Sequence, residues 1–394
     1  MCKRLPFYLF GLLLYMSYQT AEARIKLITL PVRDRVEIQL DHPDQTLVEE
    51  ERTVPLSAGL NQVDFSWANT RIDPQSIVFR ILKGDSRAEV NVLSVSYPPG
   101  ERALVWNVSS GIATTARVRI SYVIAALTRH YDYQLITSHR EKSLTLMQYL
   151  NIRNGANEVF GDSWIWPGFG KQLLKSVGIN QTRRVLIDKY QNIPVNKTYT
   201  VDPVKHGWLI KAEQKLLVPM HYVLKNDTRH GLGRAAIPRG KVRIFQEDGN
   251  GGRVFLGEDW GATTPLDEEM ALFVGVAKDI VVKRTIEQNK QKRLSGMLYS
   301  HDVVIKYEIE NFKDIPVTLT VIEHPRQVRD QLRRRSEREV EWRIGSKTSF
   351  KDGPDSDKTT LDKLVFKVDL PARSKSGAAH KQIRRLHLQL NNEW

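Results

Sequence analysis

The property that most constrains this chain is an apolar/polar alternation that recurs from one end to the other. Val36-Glu37-Ile38-Gln39-Leu40 alternates, as do Val118-Arg119-Ile120-Ser121-Tyr122, Val317-Thr318-Leu319-Thr320-Val321 and Leu386-His387-Leu388-Gln389-Leu390. Period two sends successive side chains to opposite faces of an extended strand, so each such run is half of a buried sheet surface. Val, Ile, Thr, Tyr and Phe fill these runs, as strands prefer. Turn residues break them at short intervals, among them Asp73-Pro74, Pro98-Pro99-Gly100 and Asn154-Gly155. Many short strands with regular turn signals predict an all-β fold of sandwich type. Helix signal is scarce: residues 286–298 and 326–338 are the longest polar candidates, and neither carries an apolar stripe. No fixed-period repeat points to a propeller or solenoid.

The expected organisation is two β-sandwich-like domains joined by an irregular bridging segment. Residues 24–125 hold about seven strand candidates. Residues 126–204 are expected to supply bridging strands and a linker, and the part from 159 to 202, with Gly168, Gly170 and Pro194, shows few clean strands. Residues 205–394 form the second β domain.

Residues 1–23 set the expected compartment. Lys3 and Arg4 precede an apolar run from Leu5 to Met16, and Ala21-Glu22-Ala23 supplies the small residues that signal peptidase requires. The expectation is cleavage before Arg24, no transmembrane anchor afterwards, and a periplasmic or secreted product. Cys2, the single cysteine, lies inside this segment, so the mature chain must be stable without disulfides. The chain carries a formal net charge of +14, which loss of Lys3, Arg4 and Glu22 reduces to +13. Inside a cell that charge would suggest nucleic acid. Outside the cytoplasm nucleic acid is not the expected partner; the charge reads either as protection against self-association or as a site for an anionic partner, with envelope polysaccharide and an envelope protein as the candidates.

The order of several motifs resembles a known family. Leu56-Ser57-Ala58-Gly59-Leu60-Asn61-Gln62-Val63-Asp64-Phe65 is followed by Ile72-Asp73-Pro74-Gln75-Ser76-Ile77. Tyr222-Val223-Leu224-Lys225-Asn226-Asp227, Gly231-Leu232-Gly233, Pro238-Arg239-Gly240-Lys241-Val242-Arg243 and Phe255-Leu256-Gly257-Glu258-Asp259 come next. In this the chain resembles the bacterial domain of unknown function 4139 family, which includes mucoidy inhibitor A-like proteins. The resemblance covers most of residues 34–371 and is tightest over 225–324. It implies an extracytoplasmic β-rich protein with no established catalytic residues, and a link to envelope polysaccharide. Two departures stand out: the chain has no coiled-coil heptad segment, and residues 327–343 are unusually rich in arginine.

Chemistry-bearing motifs are few. Glu258-Asp259 beside Trp260 could act as a glycosidase pair, which needs two carboxylates about 5–10 Å apart across a sugar; the alternative is a strand end whose acids face solvent. Adjacent residues of a regular strand point to opposite faces, so the pair requires a bulge or turn at that point. Glu247, Asp248 and Asn250 offer oxygens for calcium, but hairpin chemistry accounts for the neighbouring glycines. The histidines show no zinc spacing, and no nucleophile elbow, phosphate loop or dinucleotide fingerprint is present, so no catalytic residue, metal or cofactor is expected. Two binding candidates remain. Trp164, Trp166 and Phe169 form an aromatic cluster, either a contact surface for sugar rings or a buried plug between domains. Arg333, Arg334 and Arg335 could hold an anionic sugar or phosphate, although Asp330, Glu337, Glu339 and Glu341 are interleaved nearby. The leading expectation is an exported, non-enzymatic protein that binds a polymer or a protein partner. The alternatives are a polysaccharide hydrolase using Glu258 and Asp259, and an assembly subunit that pairs through edge strands.

Overall fold

A computed structural model describes residues 26–42, 45–83, 88–167, 170–206, 213–296, 298–332 and 340–393. The signal-like segment, Phe169 and the Arg333–Arg335 run lie outside these residues. Twelve strands come first: Lys26–Thr29 (β1), Arg35–Gln39 (β2), Thr46–Leu56 (β3), Gly59–Ser66 (β4), Val78–Lys83 (β5), Val90–Ser96 (β6), Ala103–Ser110 (β7), Thr114–Ile124 (β8), Leu127–Thr137 (β9), Ser143–Asn154 (β10), Ser163–Trp166 (β11) and Gln172–Leu174 (β12). Then follow Thr182–Pro194 (β13), Asn196–Val201 (β14), Glu213–Leu216 (β15), Pro219–Lys225 (β16), Gly240–Glu247 (β17), Arg253–Gly261 (β18), Glu269–Val276 (β19), Ile280–Ser295 (β20), Leu298–Asn311 (β21), Val317–Glu323 (β22), Glu341–Ile344 (β23), Leu364–Leu370 (β24) and His380–Glu393 (β25). Helix is confined to Pro203–His206 (α1), Pro325–Leu332 (α2) and two single 3-10 turns among the described residues. No helix there is long and apolar enough to cross a membrane.

The chain divides into two compact units, one made of Met1–Arg129 with Ile152–Arg183, the other of His130–Asn151 with Arg184–Trp394. The first unit has a four-stranded sheet, β1-β4-β7-β6, and a six-stranded sheet, β12-β11-β2-β3-β8-β5. Alternation builds its core. In β8, Ala116, Val118, Ile120, Tyr122 and Ile124 are buried, while Arg117 and Arg119 face out. Phe65 of the smaller sheet meets Trp106 at 5.8 Å and Tyr122 of the larger sheet at 5.9 Å between ring centroids. The fully buried Glu50 breaks the apolar pattern but is clamped by Arg33 and Arg52, so its charge is paired inside the fold.

The second unit holds three five-stranded sheets: β13-β10-β9-β17-β18, β19-β16-β14-β22-β24 and β15-β20-β21-β25-β23. The last two share one core in which Leu319, Val321 and Phe366 pack with Val282, Ile305 and Leu388. Arg284 is buried there with its Nε 2.7 Å from Glu323, and the Tyr307 hydroxyl also donates to Glu323. An unpaired charge at that depth would be strongly destabilising, so the three side chains stand or fall together.

The fold is all-β with several sandwich-like sheets, as the alternation predicts. The expected bridge needs correcting. Residues 126–204 hold strands, as expected, but the 159–202 part is not irregular either: β11 and β12 extend the first unit's larger sheet, and β9, β10, β13 and β14 supply strands to the second unit. The reason is non-local pairing. Strand β11 runs parallel to β2, with Trp164 opposite Glu37, and β9 runs parallel to β17, with Tyr131 opposite Gly240. Strand β9 lies inside its sheet and is buried on both faces from Tyr131 to Tyr133 and from Leu135 to Thr137, although Tyr131-Asp132-Tyr133-Gln134-Leu135 alternates in sequence.

Candidate functional site

The Trp164 and Trp166 side chains are set by four residues of strand. Ser163 and Ile165 are fully buried, which turns the intervening tryptophans to the outer face of β11. Pairing with β2 on one side and β12 on the other fixes their height on the sheet. The two rings are 39% and 40% exposed, so they form a half-exposed pair on the outer face of the first unit's larger sheet. Lys171 places its ammonium 5.3 Å from the centre of the Trp164 ring and 5.4 Å from that of Trp166. This cation–π contact holds the rings in register. Glu37 anchors the group from β2: its carboxylate lies 2.7 Å from Lys171 Nζ and accepts from Trp166 Nε1 at 3.4 Å. Burial pushes the Glu37 carboxyl up, but the hydrogen bonds from Lys171 and Trp166 and the charge of Arg35 outweigh it and hold the pKa below the usual value.

The charges beside the rings are matched. Glu37 also pairs with Arg35, Glu51 with Arg117 and Arg119, and Glu49 with Arg80 at 2.8 Å. These groups line the outer face of one sheet in alternating sign. An open depression of about 760 Å³ lies beside Trp164, bounded by Asp34, Arg35, Thr53, Arg117 and Lys171. Two flat rings next to a row of donors and acceptors can stack against the apolar face of a sugar while its hydroxyls find partners.

The other expected sites separate. Phe169 and Arg333, Arg334 and Arg335 lie outside the described residues. Glu258 and Asp259 are not brought together: they sit opposite Arg243 and Val242 with no break in register between them, so their side chains leave opposite faces of β18. Glu258 bonds Lys241 Nζ at 2.8 Å, while Asp259 accepts the Phe273 backbone N–H at 2.7 Å. The only register shift of that hairpin falls nearer its tip, between Ile244 and Phe245. Asp248 caps its own turn through the N–H groups of Asn250 and Gly252. Among the described residues no group of three or more His, Cys, Asp or Glu is placed to hold a metal. Strand β6 leaves an uncharged sheet edge on which Val92, Leu93 and Val95 are exposed, the feature expected of an assembly subunit.

Sequence reasoning missed Lys171 and Glu37 as members of the tryptophan group. The Trp-x-Trp spacing was visible, but the partner strand β2 is more than a hundred residues away. Set against known proteins, the chain matches no family model and no curated protein sequence. The resemblance to the domain of unknown function 4139 family therefore rests on the quoted motifs alone.

Proposed function

We propose that this chain is an exported, non-enzymatic binding protein that holds a polysaccharide of the cell envelope against the Trp164–Trp166 face. One observation carries the reading: two half-exposed tryptophans on the same strand face, braced by Lys171 and Glu37 and bordered by a polar depression. Exposed tryptophan is costly to leave idle, and aromatic rings dominate the energetics of contact surfaces. The pairing of nearby charges favours hydroxyl-rich, weakly charged stretches of polymer over dense polyanions. The export component draws on the signal-like segment ahead of Arg24.

The test is retention of the purified protein on immobilised neutral glucans and acidic polysaccharides at low and high salt, with reducing-end release followed in parallel. The expected outcome is retention of neutral glycan without release. The double variant W164A/W166A is expected to weaken it about tenfold or more, the signature of a contact hot spot. Retention of neutral glycan that survives both substitutions, or release of reducing ends, would overturn the reading.

A further inference from the structure

A second exposed aromatic lies in the other unit, and its surroundings differ in charge. Strands β17 and β18 form a hairpin whose inner face is fixed by Val242 and Ile244, both fully buried. The outer face therefore carries Lys241 and Arg243 from β17 and Glu258 and Trp260 from β18. Trp260 is 58% exposed. Arg239 lies 5.5 Å and Lys241 5.7 Å from the ring centre. Toward the hairpin tip Phe255 is also exposed, 5.4 Å from Phe245 directly across the ladder. The register puts Trp260 and Phe255 opposite Lys241 and Phe245, four residues apart on β17 and hence separated by about 13 Å at the usual rise per residue.

The ionic partners do not balance as they do on the first unit. Among the described residues Arg239 makes no ion pair, and its guanidinium lies over the Trp260 ring. Arg243 has only long approaches, 3.7 Å to Glu258 and 3.9 Å to Asp132. Glu258 is committed to Lys241, and Asp132 is committed to Arg184 and Asn151. One guanidinium fork beside the exposed ring, and a second on the same strand face held only by long ion pairs, thus keep hydrogen-bonding capacity to spare. Guanidinium takes carboxylate in a bidentate pair that an ammonium cannot reproduce.

We propose that the outer face of the β17–β18 hairpin is a binding site for a carboxylated polysaccharide, with Trp260 stacking on a sugar ring and Arg239 and Arg243 taking its carboxylates. Glu258, in the middle of the row, accepts hydroxyl protons that such a chain carries. A single-stranded nucleic acid could also stack on Trp260, but it brings one phosphate per nucleotide against Glu258 and few hydroxyl donors. The mixture of forks and acceptor favours the acidic glycan. This site is distinct from the Trp164–Trp166 face, and it rests on the reading of the chain as a polysaccharide-binding protein.

The experiment measures calorimetric affinity of the full purified protein for a polygalacturonate oligomer, a neutral glucan and oligothymidylate. Polygalacturonate is expected to bind at low salt and to weaken steeply toward ~0.5 M salt, where screening shortens to a few ångströms. W260A and R239A/R243A are each expected to lower that affinity tenfold or more while leaving the melting temperature and glucan binding unchanged. R239K/R243K is expected to behave like the alanine pair, because charge is kept and the fork is lost. Unchanged polygalacturonate affinity in these variants, its loss in W164A/W166A alone, or tighter binding of oligothymidylate would overturn the proposal. Survival of glucan binding in W164A/W166A would instead overturn the first site and leave this one standing.

Discussion

At the scale of single residues the most demanding side chain is His324. Its Nε2 lies 3.0 Å from Asp202 Oδ1 and its Nδ1 lies 3.1 Å from the Asp362 carbonyl oxygen. Both neighbours only accept, so both ring nitrogens must carry hydrogen and the imidazole is held as a cation. Burial pulls its pKa down, but the hydrogen bond and charge of Asp202, with the charge of Glu323 and the Asp362 carbonyl, raise it above the ordinary histidine value. Burial likewise raises the Asp202 carboxyl, and His324 with the N–H groups of Val204 and Lys205 more than offsets that and lowers it. The raised histidine contributes stability that is fully present below its unfolded pKa near 6.5 and is lost as pH rises through the folded value. The lowered aspartate contributes stability above its unfolded pKa near 4 and loses it as pH falls through the folded value. The pair therefore stabilises most between about pH 4 and 6.5. H324Q is expected to cost about 1–2 kcal/mol at pH 5.5 and clearly less at pH 8.5. Urea unfolding at the two pH values measures the difference, and an equal cost at both would rule out the charged form.

At the scale of elements, the hairpin that presents Trp260 depends on a close approach between strands. Gly240 opens β17 beside Tyr131 of β9, and a Cβ at that position would sit 2.5 Å from the Tyr131 carbonyl oxygen and 2.6 Å from the Tyr133 ring. The oxygen belongs to backbone already paired in the sheet, so it cannot move aside cheaply. G240A is expected to lose about 1–3 kcal/mol through this overpacking, seen as a lower urea midpoint with an unchanged slope. What the sequence made legible here follows from the same geometry. Alternating strands such as β2, β8, β22 and β25 could be placed from their own residues. The sheet that β9 joins could not be placed, because its parallel partner β17 lies more than a hundred residues on, and β11 is only four residues long beside Pro167. The tryptophan pair was visible as a spacing, while its bracing lysine and glutamate depend on a parallel pairing that no local pattern encodes. For Glu258 and Asp259 the strand rule left only a bulge or turn as a way to bring them together, and the unbroken register between them removes it.

At the scale of the whole molecule, the first unit is not a continuous stretch of chain. Its larger sheet requires β11 and β12, which the chain supplies only after β9 and most of β10 have contributed to the second unit. A fragment ending at residue 125 leaves the β2 edge unpaired and removes Ile165, Leu174 and Phe160 from the core. Expression of residues 24–125 alone is expected to give a protease-sensitive protein with poorly dispersed amide spectra. A covalent fusion of 24–129 to 152–183 is expected to restore dispersion. A well-dispersed spectrum from residues 24–125 alone would show that β11 and β12 are dispensable.

The parallel pairing of β9 with β17 also sets a timetable. Residues 131–137 must wait for partners more than a hundred positions downstream, and β14 waits similarly for β22. Contacts of such long range slow the search for the native state into the millisecond-to-second regime typical of all-β proteins. During that interval β9 and the uncharged β6 present open edges to any other unfinished copy. Yield on refolding should therefore fall with protein concentration well before the stability of the finished fold becomes limiting.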